Sequence, residues 1–117
     1  MSRSIILLGT GPMAPSIARF RWDDIPLDKV TEMVALKRVS GADFELTQAY
    51  FKKGARVPLH AHSGERLYYV LQGVVHVTSG AETITLREGD LIVVPPDVPH
   101  DAEVFDDAFL MTVGTKR

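Results

Sequence analysis

The chain has 117 residues, of which 45% are hydrophobic and 24% are charged. This composition is typical of one folded domain and not of a disordered chain. The formal net charge is −2 and no basic run is present, so a nucleic-acid partner is not expected. The chain contains no cysteine, which excludes disulfides, thiolate metal sites and cysteine nucleophiles.

The N-terminal segment, residues 1–20, contains one short apolar run at residues 5–8. A run of this length is far too short for a membrane span or for the apolar region of a signal peptide. We therefore expect a cytoplasmic protein with no membrane partner. We expect residues 1–20 to form an arm, or an edge strand that pairs with a second copy, because their apolar side chains have no partner in a small barrel. The expected assembly is a homodimer.

Residues 21–117 are predicted to form a single all-β domain. Short runs of β-branched and aromatic residues alternate with Gly, Pro and Asp, which is typical of a sandwich or a barrel. A turn near residues 22–26 precedes the first predicted strand. The predicted strands cover residues 33–39, 44–51, 60–72, 74–78, 83–86, 91–94, 100–105 and 108–113. This number of strands is enough to close a small barrel.

Two of the four histidines, His60 and His62, lie two positions apart in a predicted strand. Alternate strand residues project to the same side of a sheet, so these two imidazoles are expected to lie side by side. Neighbouring imidazoles can chelate a transition metal such as zinc, iron, nickel, copper or manganese. His76 lies between Val75 and Val77, and we predict that it points out of the barrel and binds no metal.

The residues around these histidines resemble the two motifs of the cupin superfamily. Residues 54–62 have the sequence GARVPLHAH, which matches glycine, five residues and His-x-His, and Gly73 stands where that motif ends. Residues 89–100 have the sequence GDLIVVPPDVPH, which matches glycine, five residues, Pro-x-Asp, two residues and histidine. The resemblance covers residues 22–113. It implies a single-domain cupin, that is, a double-stranded β-helix or jelly-roll barrel.

The cupin resemblance implies that His60, His62 and His100 hold one divalent transition metal ion, such as zinc, iron, manganese or nickel, inside the barrel. The family usually has a fourth ligand, Glu or Gln, at the position of Arg66. A guanidinium has no lone pair to give to a metal, so Arg66 departs from the family. We expect three histidines and water, with a bulge that brings in Glu65 as a fourth ligand as the alternative. The remaining possibility is a barrel that has lost the metal.

One subgroup of small cupins is similar in its other segments as well. The matching segments here are WDDIP at residues 22–26, KRVSG at residues 37–41 and the last strand at residues 108–113. That subgroup includes the pectin-degradation cupins that convert unsaturated uronates to linear keto-sugar acids, and a dehydratase-isomerase of bacilysin synthesis. In the uronate enzymes an aspartate of the last strand is catalytic, and Thr112 stands at that position here. This departure and Arg66 both weaken the transfer of that activity.

Further candidate residues follow from strand alternation. Tyr68 shares a face with Arg66, and Gln48 shares a face with Tyr50, where the strands are regular. Glu65 and Tyr68 are candidate catalytic residues because either could move a proton. Arg66, Gln48 and Tyr50 are candidate substrate-binding residues, and Arg66 in particular would neutralise a carboxylate.

Three functions fit these residues, and all of them use a small-molecule ligand. The first is a metalloenzyme of the isomerase or lyase type that acts on a small anionic or sugar-acid-like metabolite. The second is a three-histidine non-haem iron dioxygenase. The third is a barrel that binds a ligand without turnover. Because the cupin fold hosts all three, the fold does not choose among them, and the identity of the bound metal would separate them best.

Overall fold

The computed structural model describes residues 16–116 and shows an antiparallel all-β fold. A short 3₁₀ turn at Trp22–Asp24 precedes the first strand, where the sequence predicts a turn. Within the described residues eight strands follow: β1 (Asp28–Thr31), β2 (Val34–Ser40), β3 (Phe44–Phe51), β4 (Arg56–His60), β5 (Arg66–Ser79), β6 (Glu82–Leu86), β7 (Leu91–Val94) and β8 (His100–Thr115). The predicted all-β fold class is confirmed.

The strands form two sheets that share the long strands β5 and β8. The first sheet has the order β1, β2, β3, the C-terminal half of β8, the N-terminal half of β5, and β7. The second sheet has the order β4, the N-terminal half of β8, the C-terminal half of β5, and β6. Two antiparallel sheets joined in this way enclose one lumen, as in a jelly roll.

Strands β5 and β8 pass from one sheet to the other through a stretch of irregular pairing. Their register shifts three times between Val70 and Val75. Gly73 has a φ of 100°, and a Cβ there would lie 2.5 Å from the carbonyl oxygen of Asp107, so only glycine fits without displacing the β8 backbone. The sequence prediction ended one strand at residue 72, before Gly73, and another at residue 105, before Asp106. Both predictions were wrong, because a bulge bends a strand without ending it.

The predicted strand over residues 60–72 was also wrong. Strand β4 ends at His60 and β5 begins at Arg66, so residues 61–65 form a loop. The loop leads from β4 in the second sheet to the start of β5 in the first sheet. His62 therefore lies in a loop and not in a strand. Strand β1 was not predicted, because all four of its residues are exposed and give no alternating pattern.

One half of the lumen is lined by apolar side chains. Cross-strand pairing places Ala49 of β3, Leu110 of β8 and Val70 of β5 in one row, and paired residues share a face of the sheet. Val75 and Val104 of the second sheet belong to the same cluster, and all five side chains are at most 5% exposed. These five residues are called the apolar half of the lumen below.

The next rows on the same strands are polar. Thr47, Thr112 and Tyr68 form the row beside the apolar one, and the row after that contains Glu45, Gly114 and Arg66. Because side chains two positions apart share a face, these rows line the same lumen. Thr47, Thr112, Tyr68 and Arg66 are called the polar half of the lumen below.

The described residues begin at residue 16, so most of the predicted N-terminal arm over residues 1–20 lies outside them. Residues 16–21 have no regular secondary structure. Among the described residues, no helix has the length and apolar character that a membrane crossing requires. The pairing of residues 1–20 with a second copy remains a prediction.

Candidate metal centre

Three of the four histidines are brought together where β4 ends and β8 begins. His60 and His100 are cross-strand partners in this pair of strands. His62 lies in the following loop, and its carbonyl accepts a hydrogen bond of 2.7 Å from the backbone N–H of Asp97. Asp97 has a left-handed φ of 63° in the turn before His100. This hydrogen bond ties the loop of His62 to the turn that presents His100.

The three imidazoles form one compact group. Their ligand nitrogens all lie within 4.8 Å of one another. The ring centroids are 4.6 Å apart for His60 and His62, 4.4 Å for His60 and His100, and 5.3 Å for His62 and His100. Metal–imidazole bonds are about 2.0–2.1 Å long, so nitrogens that share one ion lie about 3–4 Å apart. Small side-chain adjustments would bring this group to that spacing.

Hydrogen bonds to the backbone orient two of the rings. The Nδ1–H of His60 donates to the Pro58 carbonyl at 2.8 Å, and the Nδ1–H of His100 donates to the Val98 carbonyl at 2.9 Å. With the proton on Nδ1, each Nε2 keeps a lone pair that a metal can use. The Nδ1 of His62 is buried and has no hydrogen-bond partner within the described residues. This donor set fits a divalent transition metal ion.

The environment keeps His62 neutral. The pKa of His62 is lowered from 6.5 to about 4, first by burial and then by electrostatic repulsion from Arg66, His60 and His100. At neutral pH the ring therefore carries no charge and has a lone pair. A neutral imidazole is the form that binds a metal, so the metal does not have to displace a proton from His62 near pH 7.

Tyr68 connects the histidines to the first sheet. Its hydroxyl lies 3.1 Å from the Nε2 of His100. Because the His100 proton is on Nδ1, the Tyr68 hydroxyl is the donor in this bond. Burial raises the pKa of Tyr68 and the positive charge of Arg66 opposes the rise, so the phenol stays protonated at neutral pH. A metal on the Nε2 of His100 would use its one lone pair and free the Tyr68 hydroxyl for another acceptor.

Arg66 contributes a positive charge to the polar half of the lumen. Its Nε–H is buried without a hydrogen-bond partner, and no carboxylate in the described part of the chain pairs with it. A Cβ at Gly114 would lie 2.8 Å from the guanidinium carbon of Arg66, so the glycine provides the space that the guanidinium fills. An unpaired buried donor costs about 1–3 kcal/mol. A bound anion would remove this cost.

The sequence comparisons decide the family. The Cupin_2 family, described as a cupin domain, matches residues 48–112. The chain belongs to the cupin family. Among curated proteins, an uncharacterized protein of Methanocaldococcus jannaschii is 31% identical over 75 residues, which are 63% of this chain and 60% of that protein. This cupin therefore matches less than two thirds of that relative's length.

Solved structures of other cupins are similar to this cupin over most of its length. An RmlC-like cupin from Shewanella frigidimarina has a TM-score of 0.79 at 22% identity, and the match covers 87% of this chain and 93% of that chain. KdgF from a Halomonas species has a TM-score of 0.78 at 25% identity, with coverages of 86% and 95%. These likenesses agree with the jelly-roll fold that the sequence motifs imply.

The structure of this cupin does not bring Glu65 to the histidines. Glu65 is exposed and lines a groove on the outer face of the first sheet, together with Leu67 and Val93. In the described part of the chain, the group that could hold a metal consists of the three histidines alone. His76 points outward, as the alternation with its valine neighbours predicts, and its ring centroid lies 4.1 Å from that of Phe105.

Gln48 and Tyr50 share a face of β3, as predicted, but it is the outer face of the first sheet. They alternate with the lumen residues of β3 and pair with Met111 and Phe109. The Tyr50 hydroxyl donates to the Gln48 Oε1 at 3.0 Å, and the Tyr50 ring stacks on Phe109 with a centroid distance of 4.7 Å. The structure therefore does not bring this pair to the histidine group.

Sequence reasoning missed part of the polar half. It did not single out Thr47 or Gly114, and it considered Thr112 only as a departure from the uronate cupins. Thr47 is 5% exposed and Thr112 is 7% exposed. The signal that could have found them is a polar residue two positions from a buried Ala49 or Leu110 on the same strand. That signal required the strand pairing, which the sequence alone did not provide.

Proposed function

We propose that this cupin holds one divalent transition metal ion, such as zinc, iron, manganese or nickel, on His60, His62 and His100 and acts on a small anionic metabolite. One observation carries the proposal: three imidazoles converge near Arg66, whose buried Nε–H has no partner. A metal with three neutral ligands keeps its full charge, and the guanidinium adds another. These two charges favour an anionic substrate, and the reaction that we propose for it is of the isomerase or lyase type.

The proposed roles follow from the chemistry of each group. A bound metal ion would act as a Lewis acid toward a carbonyl or carboxylate oxygen of the substrate. Arg66 would hold a substrate carboxylate with two parallel hydrogen bonds. The Tyr68 hydroxyl, freed from His100, would donate a proton to the substrate. Glu65 has no role in this proposal because it is exposed away from the histidines.

A three-histidine dioxygenase is the second candidate. It is favoured by the same metal group, since no carboxylate within the described residues joins the three histidines. The metal in protein purified without a histidine tag separates the two candidates. Iron together with oxygen uptake supports the dioxygenase, whereas zinc, nickel or manganese supports the isomerase or lyase.

The proposed anion site is tested by two titrations on wild type and the Arg66→Gln variant. Nickel is titrated first and acetate second, each followed by calorimetry. Glutamine removes the charge and offers an amide oxygen, so Arg66→Gln should bind nickel more tightly and acetate about tenfold or more weakly. Arg56→Gln is the control, because Arg56 is an arginine whose side chain is 74% exposed and pairs with Glu103. Weaker nickel binding or unchanged acetate binding in Arg66→Gln would contradict the proposal.

We also propose that the protein forms a homodimer through the outer face of the first sheet. Phe44, Val93 and Val113 share this face and are 50%, 55% and 37% exposed. Exposed apolar side chains grouped on one sheet face are typical of an interface between proteins. Light scattering at micromolar concentration should give twice the chain mass, and Val93→Lys should shift it to the monomer. A monomer in the wild type would contradict the proposal.

A further inference from the structure

A small cavity lies beside the histidine group, on the side of the apolar half. Its volume is about 110 Å³, and His60, Tyr68 and His100 are its three polar lining residues. The eight other lining side chains are apolar and include Ala102 and Leu110. The cavity thus begins at two of the proposed metal ligands and ends against the core of the barrel.

The polar atoms at the rim of the cavity already have partners. The Nδ1–H of His60 and the Nδ1–H of His100 both donate to backbone carbonyls. In the metal-free protein the Tyr68 hydroxyl donates to the Nε2 of His100, and in the proposed function the freed hydroxyl donates to the anionic end of the substrate. A hydroxyl group that entered the cavity would therefore give up hydrogen bonds to water and find no replacement among the apolar walls. An apolar group would lose nothing and would gain burial.

We propose that this cavity binds a short apolar group of the substrate, while the anionic group of the same molecule lies at the metal and Arg66. The inference rests on the proposed function for the anionic end of the substrate. An apolar cavity of about 150 Å³ holds a benzene molecule, so the smaller cavity here fits an alkyl group of about three to five carbon atoms. The substrate class is a carboxylate with a short, branched alkyl group, and not a polyhydroxylated sugar acid.

The first test compares three carboxylates of equal charge on the nickel-loaded protein by calorimetry. Isovalerate carries a branched alkyl group, glycerate carries hydroxyl groups, and acetate carries neither. Isovalerate should bind about tenfold or more tightly than acetate, because its extra carbon atoms are removed from water. Glycerate should bind no more tightly than acetate. Glycerate binding as tight as that of isovalerate would overturn the proposal.

A variant that fills the cavity sharpens the comparison. Ala102→Leu adds three carbon atoms to the cavity wall without changing a histidine, Tyr68 or Arg66. It should remove the preference for isovalerate and leave acetate binding unchanged. Ala35→Leu is the matched control, since Ala35 pairs with Tyr50 and faces the opposite side of the first sheet. Equal isovalerate preference in Ala102→Leu and wild type would overturn the proposal.

A neutral probe separates the failure of this inference from failure of the proposed function. Xenon carries no charge and enters dry apolar cavities of this size. Addition of xenon to the metal-free wild type should shift the methyl NMR signals of Val75 and Leu110, which line the cavity, more than those of Val93 on the outer face. If xenon shifts these signals but no carboxylate binds, the proposed anion site is contradicted and the cavity assignment is not. Absence of the shifts at Val75 and Leu110 would overturn the cavity assignment, and this measurement needs no variant.

Discussion

The two halves of the lumen are built from the same three strands, yet they have opposite chemistry. A step of two residues along each strand replaces Val70 by Tyr68, Leu110 by Thr112 and Ala49 by Thr47. Alternation alone places both sets on the lumen face. The comparison shows that alternation determines which residues face the lumen, while the position along the strand determines whether a lumen residue is apolar or polar.

The two halves also differ in what they contribute to stability. Full burial of a Val or Leu side chain stabilises the fold by about 1.5–3 kcal/mol, and Val70 and Leu110 are at most 5% exposed. The polar half instead contains a buried Arg66 donor without a partner, and the neighbouring histidine group contains a buried His62 nitrogen without one. Such groups destabilise a fold until a ligand pairs with them. We therefore expect substitutions in the apolar half to change stability and those in the polar half to change binding.

The largest change in the free energy of unfolding is expected for a substitution in the apolar half. Leu110→Ala removes a side chain that is 5% exposed, and it should lower the free energy of unfolding by about 2–5 kcal/mol. Urea unfolding of the metal-free protein measures the change. Thr112→Val is the matched control, two residues further on the same strand and face. It keeps the side-chain volume and should change the free energy of unfolding by about 1 kcal/mol or less. A larger loss in Thr112→Val than in Leu110→Ala would reverse the comparison.

The second effect is a pH dependence that arises in the histidine group beside the polar half. The folded-state pKa of His62 is lowered from 6.5 to about 4, so the unfolded chain binds more protons at this residue between these pH values. Stability of the metal-free protein should therefore fall as the pH decreases from about 6.5 to about 4. Urea unfolding at several pH values in this window measures the fall.

His62→Gln removes the group that titrates and should make this fall smaller. Thr112→Val removes a neighbouring lumen hydroxyl without removing a titrating group, and it should keep the pH dependence of the wild type. If His62→Gln and wild type lose stability equally as the pH decreases, the pH dependence arises elsewhere. The lowered pKa of His62 would then play no part in it.

The smallest change in stability is expected at Gly114, where the effect should appear in binding. A Cβ at this position would lie 2.8–2.9 Å from three atoms of the Arg66 guanidinium. The guanidinium is the end of a flexible side chain and can move, so Gly114→Ala should change the free energy of unfolding by about 1 kcal/mol or less. Acetate affinity of the nickel-loaded protein should fall about tenfold, because Arg66 is displaced. An unchanged acetate affinity would show that acetate binding does not require the Arg66 guanidinium in its position over Gly114.

The sequence predicted the fold class because two motifs with fixed spacing contain the residues that turn and end strands. Strands β3 and β7 were predicted with the bounds that the structure shows. The bent strands β5 and β8 were each divided into two, since a glycine or two aspartates in a bulge resemble a turn when the partner strand is unknown. Strand β1 was missed because exposure of all its residues leaves no alternation.

The histidine group was predicted for a reason that was only partly correct. Alternation in one long strand was expected to place His62 beside His60, but β4 ends at His60. The hydrogen bond from Asp97 positions the His62 loop instead. Gln48 and Tyr50 were correctly paired with each other, yet which face of β3 is the lumen face follows from its pairing with β8. Residues far apart in sequence decide that pairing, so the sequence pattern of β3 alone could not reveal it.

The central claim is that His60, His62 and His100 form one metal site and that His76 is not part of it. Elemental analysis of protein purified without a histidine tag, expressed as metal per chain, tests this claim most directly. The wild type and His76→Ala should contain about one transition metal ion per chain, and each of His60→Ala, His62→Ala and His100→Ala should lose it. Circular dichroism verifies that each variant is folded. Full metal content in folded His100→Ala protein, or loss of the metal in His76→Ala alone, would contradict the account.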